Sequence, residues 1–261
     1  FNGAIVGGNC HKEYLIKLGM PKQQIFKGYD CVDNDYFTRK SKLTNSKIDD
    51  EMYLCCICRF VEKKNLFVLI KTFDLFKKRF IEYKKTKLKI AGSGPLLENL
   101  RYYTNQNNIN DVEFVGPINY KDLPQFYSRS NGMILLSTTE QWGLVTNEAL
   151  NCGIPVLISE KCGSKEIIKE NINGYTVNPT LKDEIALKIK DLIELSKKKG
   201  TEFNCRESIN KISPKNFAHS CSKAIKMKSK KNTIKFVGLI AIVILLTLKS
   251  LKFIGNQKFE A

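Results

Sequence analysis

From Met52 to Val177 the chain repeats one unit: a short apolar run, a turn, then a stretch with helical spacing. The apolar runs are "MYLCCICRF", "KLKIAG", "VEFVG", "GMILLST", "PVLIS" and "GYTVN". Between and after them stand amphipathic stretches such as "NLFVLIKTFDLFKKRF", "LLENLRYYTNQ" and "LKDEIALKIKDLIELSKKKG". The runs are too short for buried helices and too continuously apolar for a sheet with one wet face. Strands that alternate with helices in this way build a parallel sheet covered on both faces. The expected fold class is therefore α/β, a Rossmann-like parallel sheet. In such sheets ligands bind beyond the carboxyl ends of the strands, so the turns after the runs are where chemistry is sought.

The flanks differ from this core. "GAIVG" predicts a strand, and "HKEYLIKLG" a helix with Tyr14, Leu15 and Leu18 apolar and a stop at Gly19–Pro21. "QIFKGYDCVDNDYF" predicts a strand and an irregular connection, and the polar run "TRKSKLTNSKIDDE" a linker. The start, "FNGAIVGGN", has neither the basic residues nor the cleavage site of a signal peptide, so the chain is expected to begin inside a fold. Of the formal net charge of +17, much is local: between Ser208 and Ala261 stand 11 Lys and one acid, Glu260. Residues 223–235, "KAIKMKSKKNTIK", lead into the 13 apolar positions of "FVGLIAIVILLTL", interrupted only by Thr247. A full membrane span needs about 20 apolar residues, and flanking lysine stems can extend a shorter one. The expectation is a hydrophobic tail helix that engages a membrane through residues 233–254; a short core helix is the alternative. A nucleic-acid partner is not expected, because no aromatic residues interleave with the basic ones. The nine cysteines are odd in number and lack a framework spacing, which points to reduced thiols and a protein at the cytosolic face. "CCIC" offers one CxxC (Cys55 to Cys58) with no second half-site, so no metal is expected.

The strand-end turns supply the candidate site. After the first core run, Arg59 and Lys64 can clamp a diphosphate, one as a fork and one as a point charge. Surface basicity alone accounts for them equally well. After the second, Gly92 and Gly94 permit close backbone approach, although a lone G-x-G is a weak signal. After "GMILLST" comes "TTEQWGLVTNEAL", with Glu140 and Glu148 on either side of Gly143. The first amides of the helix that Gly143 opens, near Leu144, suit a phosphate. Carboxylates beside a phosphate site repel it, so they make sense if they accept hydroxyls on the two sugars of one ligand. The bland readings are a solvated loop residue for Glu140 and an exposed first-turn acid for Glu148.

These residues together resemble the donor half of the family 4, or group 1, glycosyltransferases, which have the GT-B fold. The family pattern E-x-F-G-L-x-x-x-E-A-x-x-x-G-x-P-V stands here as "EQWGLVTNEALNCGIPV". G-x-x-E followed by N-G appears in "CGSKEIIKENINGYTVNP", R-x-x-x-x-K as Arg59 and Lys64, and G-x-G-P as Gly92 to Pro95. The resemblance implies transfer from a nucleotide-diphosphate sugar to an acceptor, with retention of configuration and without a metal ion or cofactor. It implies that Arg59 and Lys64 neutralise the leaving diphosphate and that Glu140 holds the transferred sugar. The Gly143 and Leu144 amides would meet phosphate or sugar, and Glu148 the ribose. It also implies an organisation: residues 1–30 as the end of an acceptor domain and a crossing, 31–50 as a linker, 51–207 as the donor domain, 208–228 as a returning helix, and 229–261 as a basic linker and tail. Three positions depart from the pattern: Trp142 for Phe, Asn65 for Gly, and Cys58 where a Gly usually precedes the arginine. Most of the acceptor domain has no counterpart, which keeps open a second reading, a non-catalytic nucleotide-sugar binder or membrane-tethered scaffold.

Overall fold

The computed structural model describes residues 3–28, 30–43 and 52–226. A six-stranded sheet forms its centre, in the order β5-β4-β3-β6-β7-β8. Its strands are β3 (Tyr53–Ile57), β4 (Lys87–Ala91), β5 (Val112–Gly116), β6 (Met133–Leu135), β7 (Val156–Ser159) and β8 (Gly174–Val177). Every neighbouring pair is parallel. Relative to chain order this is 3-2-1-4-5-6, the doubly wound arrangement in which the strand order reverses between β3 and β6.

Both faces are dry because successive strand residues point to opposite sides. Leu54 and Cys56 face one apolar cluster with Leu88, Ile90, Ile134 and Leu157. Tyr53 and Cys55 face the other with Met133, Leu135, Val156 and Ile158. Helix α3 (Leu66–Arg79) turns Leu66, Leu69, Ile70, Phe73 and Phe76 inward. The helical period puts those positions on one stripe. Beside it, α7 (Lys182–Lys197) buries Ile185, Ile189, Leu192 and Ile193 in the same cluster. Helix α4 (Leu97–Gln106) completes that side through Leu100. The opposite face carries α5 (Leu123–Ser128), α6 (Leu144–Asn151) and α8 (Thr201–Ile209) through Tyr127, Ala149, Leu150 and Cys205.

The polar run expected to be a linker is in part a helix. Helix α2 (Asn34–Leu43) buries Phe37 and Ser41. Asn34 Nδ2 donates to the carbonyls of Ile209 (3.3 Å) and Ile212 (3.1 Å), and Thr38 Oγ1 to that of Asn151 (3.2 Å). Phe37, with Tyr36 packed beside it, seats a helix that is otherwise mostly polar, so composition concealed it. Residues 44–50 of the expected linker lie outside the described residues, as do the basic linker and tail of 229–261.

A second, two-stranded parallel sheet pairs β1 (Ala4–Val6) with β2 (Ile25–Lys27). Helix α1 (Asn9–Lys17) follows β1, and α9 (Pro214–Lys226) returns from the far end of the chain to pack on both strands. Ser220 Oγ donates to the Lys27 carbonyl at 2.6 Å. The expected helix forms, but no residue of α1 is buried, and the apolar Tyr14 and Leu18 are 62% and 66% exposed. No helix among the described residues is long and apolar enough to cross a membrane, and the segment 233–254 expected to do so lies outside them.

Candidate functional site

The site is built at the point where the strand order reverses. After β3 the chain passes Arg59, which is exposed, and turns through Glu62–Lys64. Asn65 then stands at φ 57°, ψ 36° and opens α3. That left-handed conformation suits glycine, and asparagine is among the few other residues that adopt it readily. Asn65 Nδ2 also donates to the Pro179 carbonyl at 3.0 Å. The departure from the family pattern at this position is therefore compatible with the same turn.

From β6 the chain runs into the loop that carries Glu140. Lys64 Nζ and the Glu140 carboxylate form an ion pair between side chains that are 14% and 13% exposed. Thus the two sequence-predicted residues, 76 positions apart, meet across the switch point. Ser137 Oγ donates to the same carboxylate at 3.5 Å, and the Thr138 amide to the Lys63 carbonyl at 2.8 Å. The loop after β7 is laced to the same place. The Glu140 amide donates to the Lys161 carbonyl (3.2 Å), and the Gly163 amide to the Glu140 carbonyl (3.0 Å). A Cβ on Gly163 would lie 1.9 Å from the Gln141 carbonyl oxygen, so glycine is required for this close approach.

Gly92 and Gly94 have a structural task of their own. A Cβ on Gly92 would stand 1.9 Å from the Cys58 carbonyl oxygen, and one on Gly94 2.7 Å from the Phe60 amide nitrogen. Both glycines let the loop after β4 lie against the loop after β3, and the Phe60 amide donates to the Ser93 carbonyl at 2.8 Å. Crowding at this turn is relieved at Gly92, and Cys58 is accommodated with its sulfur 3.9 Å from that of Cys56.

Gly143, at φ 95°, caps α6, and no side chain caps its first turn. The leading amides of such a helix have no intrahelical acceptor and carry the positive end of its dipole. Leu144 is 41% exposed there. Trp142 is buried, and its Nε1 donates to Asn147 Oδ1 at 3.0 Å. Asn147 Nδ2 in turn donates to the Asp30 carbonyl at 3.1 Å, which ties α6 to the segment entering from β2.

Glu148 is the fifth residue of α6, beyond its first turn, and it is not exposed. Its Oε2 accepts the hydroxyl of Tyr127 at 2.8 Å. Burial pushes this carboxyl up to about 7, and the tyrosine hydrogen bond opposes that rise. Both bland readings therefore fail: Glu140 is paired with a lysine, and Glu148 is half-buried against a tyrosine. Sequence reasoning missed Tyr127, because a tyrosine in a short amphipathic stretch has no mark that separates it from core.

Glu166 also has a place that only the fold reveals. Its Oε2 accepts the Asn9 amide at 2.6 Å, at the first residue of α1. A Cβ on Gly8 would lie 2.7 Å from both Glu166 Oε1 and Trp142 Cζ3. The loop after β1 thus abuts the loops after β6 and β7. Among the described residues no group of three His, Cys, Asp or Glu side chains could hold a metal ion.

The family model of glycosyl transferases group 1 matches residues 37–209. An uncharacterized glycosyltransferase of Methanocaldococcus jannaschii is 33% identical over 141 residues, covering 53% of this chain and 35% of that protein. A GDP-mannose-dependent alpha-(1-6)-phosphatidylinositol monomannoside mannosyltransferase of Mycolicibacterium smegmatis is 27% identical over 154 residues, 56% of this chain and 40% of that one. The chain therefore spans well under half the length of these two relatives. Among solved structures, HepE of Anabaena in complex with UDP superposes with a TM-score of 0.73 at 18% identity, covering 87% of this chain and 64% of that one. The C-terminal domain of a group 1 glycosyl transferase, LpcC of Francisella tularensis, superposes with a TM-score of 0.57 at 21% identity, covering 68% of this chain and 96% of that domain.

Proposed function

Because the chain belongs to the group 1 glycosyl transferases, we propose that it binds a nucleotide-diphosphate sugar and is the donor half of a retaining glycosyltransferase. The observation that carries this reading is the meeting of Lys64 and Glu140 at the switch point, beside the glycine-capped start of α6. On this reading Lys64 and Arg59 neutralise the diphosphate as it leaves. Glu140 accepts hydroxyls of the transferred sugar, and the Gly143 and Leu144 amides meet phosphate or sugar. Glu148 accepts the ribose hydroxyls. Acceleration then comes mainly from fixed charges and dipoles aimed at the negative charge that develops on the departing diphosphate. No metal ion is assigned a role.

Lys64 and Glu140 neutralise each other in the described arrangement. A bound donor takes the lysine with its diphosphate and the glutamate with its sugar, so each partner of the pair is exchanged for a ligand group. UDP and GDP sugars are the first donors to test, since one similar structure holds UDP and one similar enzyme depends on GDP-mannose. The acceptor is assigned no class. The lysine-rich segment 223–235 and the apolar run after it are proposed to hold the protein at a cytosolic membrane face; deletion of 233–261 should release it from carbonate-washed membranes.

The test is thermal denaturation with a panel of UDP, GDP and ADP sugars. A ligand at a hundred times its Kd stabilises by about 2.7 kcal/mol, a shift easily read. Lys64→Ala should abolish the shift while leaving the unliganded melting temperature within a few degrees. No shift with any donor rejects the reading. A shift without transfer to any supplied acceptor favours a binder over an enzyme.

A further inference from the structure

Glu148 lies among groups that have no part in the donor reading so far. Tyr127, wholly buried in α5, points its hydroxyl at Glu148 Oε2 at 2.8 Å. Tyr120 lies ahead of the same helix, close enough to feel the Glu148 charge, and Cys152 does so from the residue that ends α6. Cys55 of β3 lies beyond Tyr127. Among the described residues, none of the groups that shift Glu148 is a cation. Tyr127 is thus the hydrogen-bond donor that favours the ionised carboxylate here.

A carboxylate that accepts two ribose hydroxyls must be ionised and correctly turned. A protonated one must donate from one oxygen, and it loses an acceptor site. With one oxygen held by Tyr127, the remaining lone pairs have a fixed direction. We propose that Tyr127 is the positioning residue of the donor site: it orients Glu148 toward the ribose and keeps the carboxylate ionised, so that nucleotide binding persists to lower pH than it would without the tyrosine hydroxyl. This rests on the reading of Glu148 as the ribose acceptor. The sign follows from the chemistry. Binding needs the deprotonated acid, so affinity is full above the Glu148 midpoint, near neutrality, and falls by about tenfold per pH unit below it. Loss of the tyrosine hydroxyl removes a bond that favours the ionised form, so the midpoint moves to higher pH.

The experiment is calorimetric titration of the full chain with UDP-, GDP- and ADP-glucose, whose diphosphates stay fully ionised throughout, from about pH 5.5 to about pH 8.5, spanning the titration of a raised carboxyl. For wild type, affinity is expected to fall through the acid half of this range. Tyr127→Phe should raise the midpoint and weaken binding about tenfold at neutral pH, the size of a lost hydrogen bond to a charged group. Glu148→Gln should bind weakly at every pH with no acid limb, and Tyr120→Phe should leave the midpoint where it is. If Tyr127→Phe binds as wild type does, or weakens equally at every pH, the positioning role is wrong. If that variant fails to fold, Glu148→Gln decides: an acid limb that persists there overturns the inference. Failure of all three nucleotide sugars to bind wild type overturns the donor-site reading and this inference with it. Binding whose midpoint Tyr127→Phe does not move overturns this inference alone.

Discussion

At the scale of single residues, the sequence singled out charged candidates but not their partners. Lys64 and Glu140 stood out through family spacing, and the fold joins them in an ion pair. Glu148 stood out by the same spacing, yet its state depends on Tyr127, which carries no such mark. A half-buried carboxyl raised from 4.5 to about 7 has a consequence for stability. The native state holds its proton at pH values where the unfolded chain has lost it. That contribution is complete below about pH 4.5 and disappears as the pH rises through about 7, a change of about 3 kcal/mol. Glu148→Gln keeps the shape and cannot ionise, so its advantage over wild type should grow with pH. Melting temperatures of both at about pH 5 and about pH 8 check this. An equal difference at the two pH values contradicts the raised carboxyl.

At the scale of elements, strands were easier to read than caps and turns. Apolar runs such as "MYLCCICRF" contain β3, because a strand buried on both faces shows no polar break. Helix α3 was equally legible from the spacing of Leu66, Leu69, Ile70, Phe73 and Phe76. Phe73 is fully buried, and Phe73→Ala should cost about 3–5 kcal/mol in denaturant unfolding. Helix α2 escaped notice, since its anchorage rests on Phe37 and on hydrogen bonds to residues far away in sequence. Gly163 was visible only as the glycine of the G-x-x-E pattern; the reason for it was not, because contact with the Gln141 carbonyl is made only when two loops are brought side by side. Gly163→Ala should force those loops apart and weaken donor binding, with a loss of at least about 1 kcal/mol of stability. Gly116→Ala is the useful contrast, since no atom lies within 4 Å of its added methyl and only its φ of 74° resists.

At the scale of the whole molecule, the chain folds back on itself. The β1–β2 pair stands apart from the main sheet, and α9 crosses from the far end of the chain to cover it. Glu166 supplies the tie on the site's side, by accepting the first amide of α1. A carboxylate at a helix N-terminus gains from both the hydrogen bond and the dipole, about 1 kcal/mol together at an exposed position. Glu166→Ala should therefore loosen α1 and β1 without disturbing the main sheet. Native-state hydrogen exchange is the measurement: faster exchange in residues 4–17 is expected, with β3 and β6 unchanged. Unchanged exchange in residues 4–17 removes Glu166 from this role.

Local pattern was enough to determine the α/β fold class and the family and to single out the charged candidates, because periodicity and motif spacing are properties of neighbours along the chain. The order of the strands, the Lys64–Glu140 pair, the hold of Tyr127 on Glu148 and the seat of α1 on Glu166 are different in kind. Each joins residues whose separation in sequence says nothing of their distance in space. Their energies also depend on burial, which turns an ordinary glutamate into one that titrates near neutrality, and burial exists only once the chain has folded.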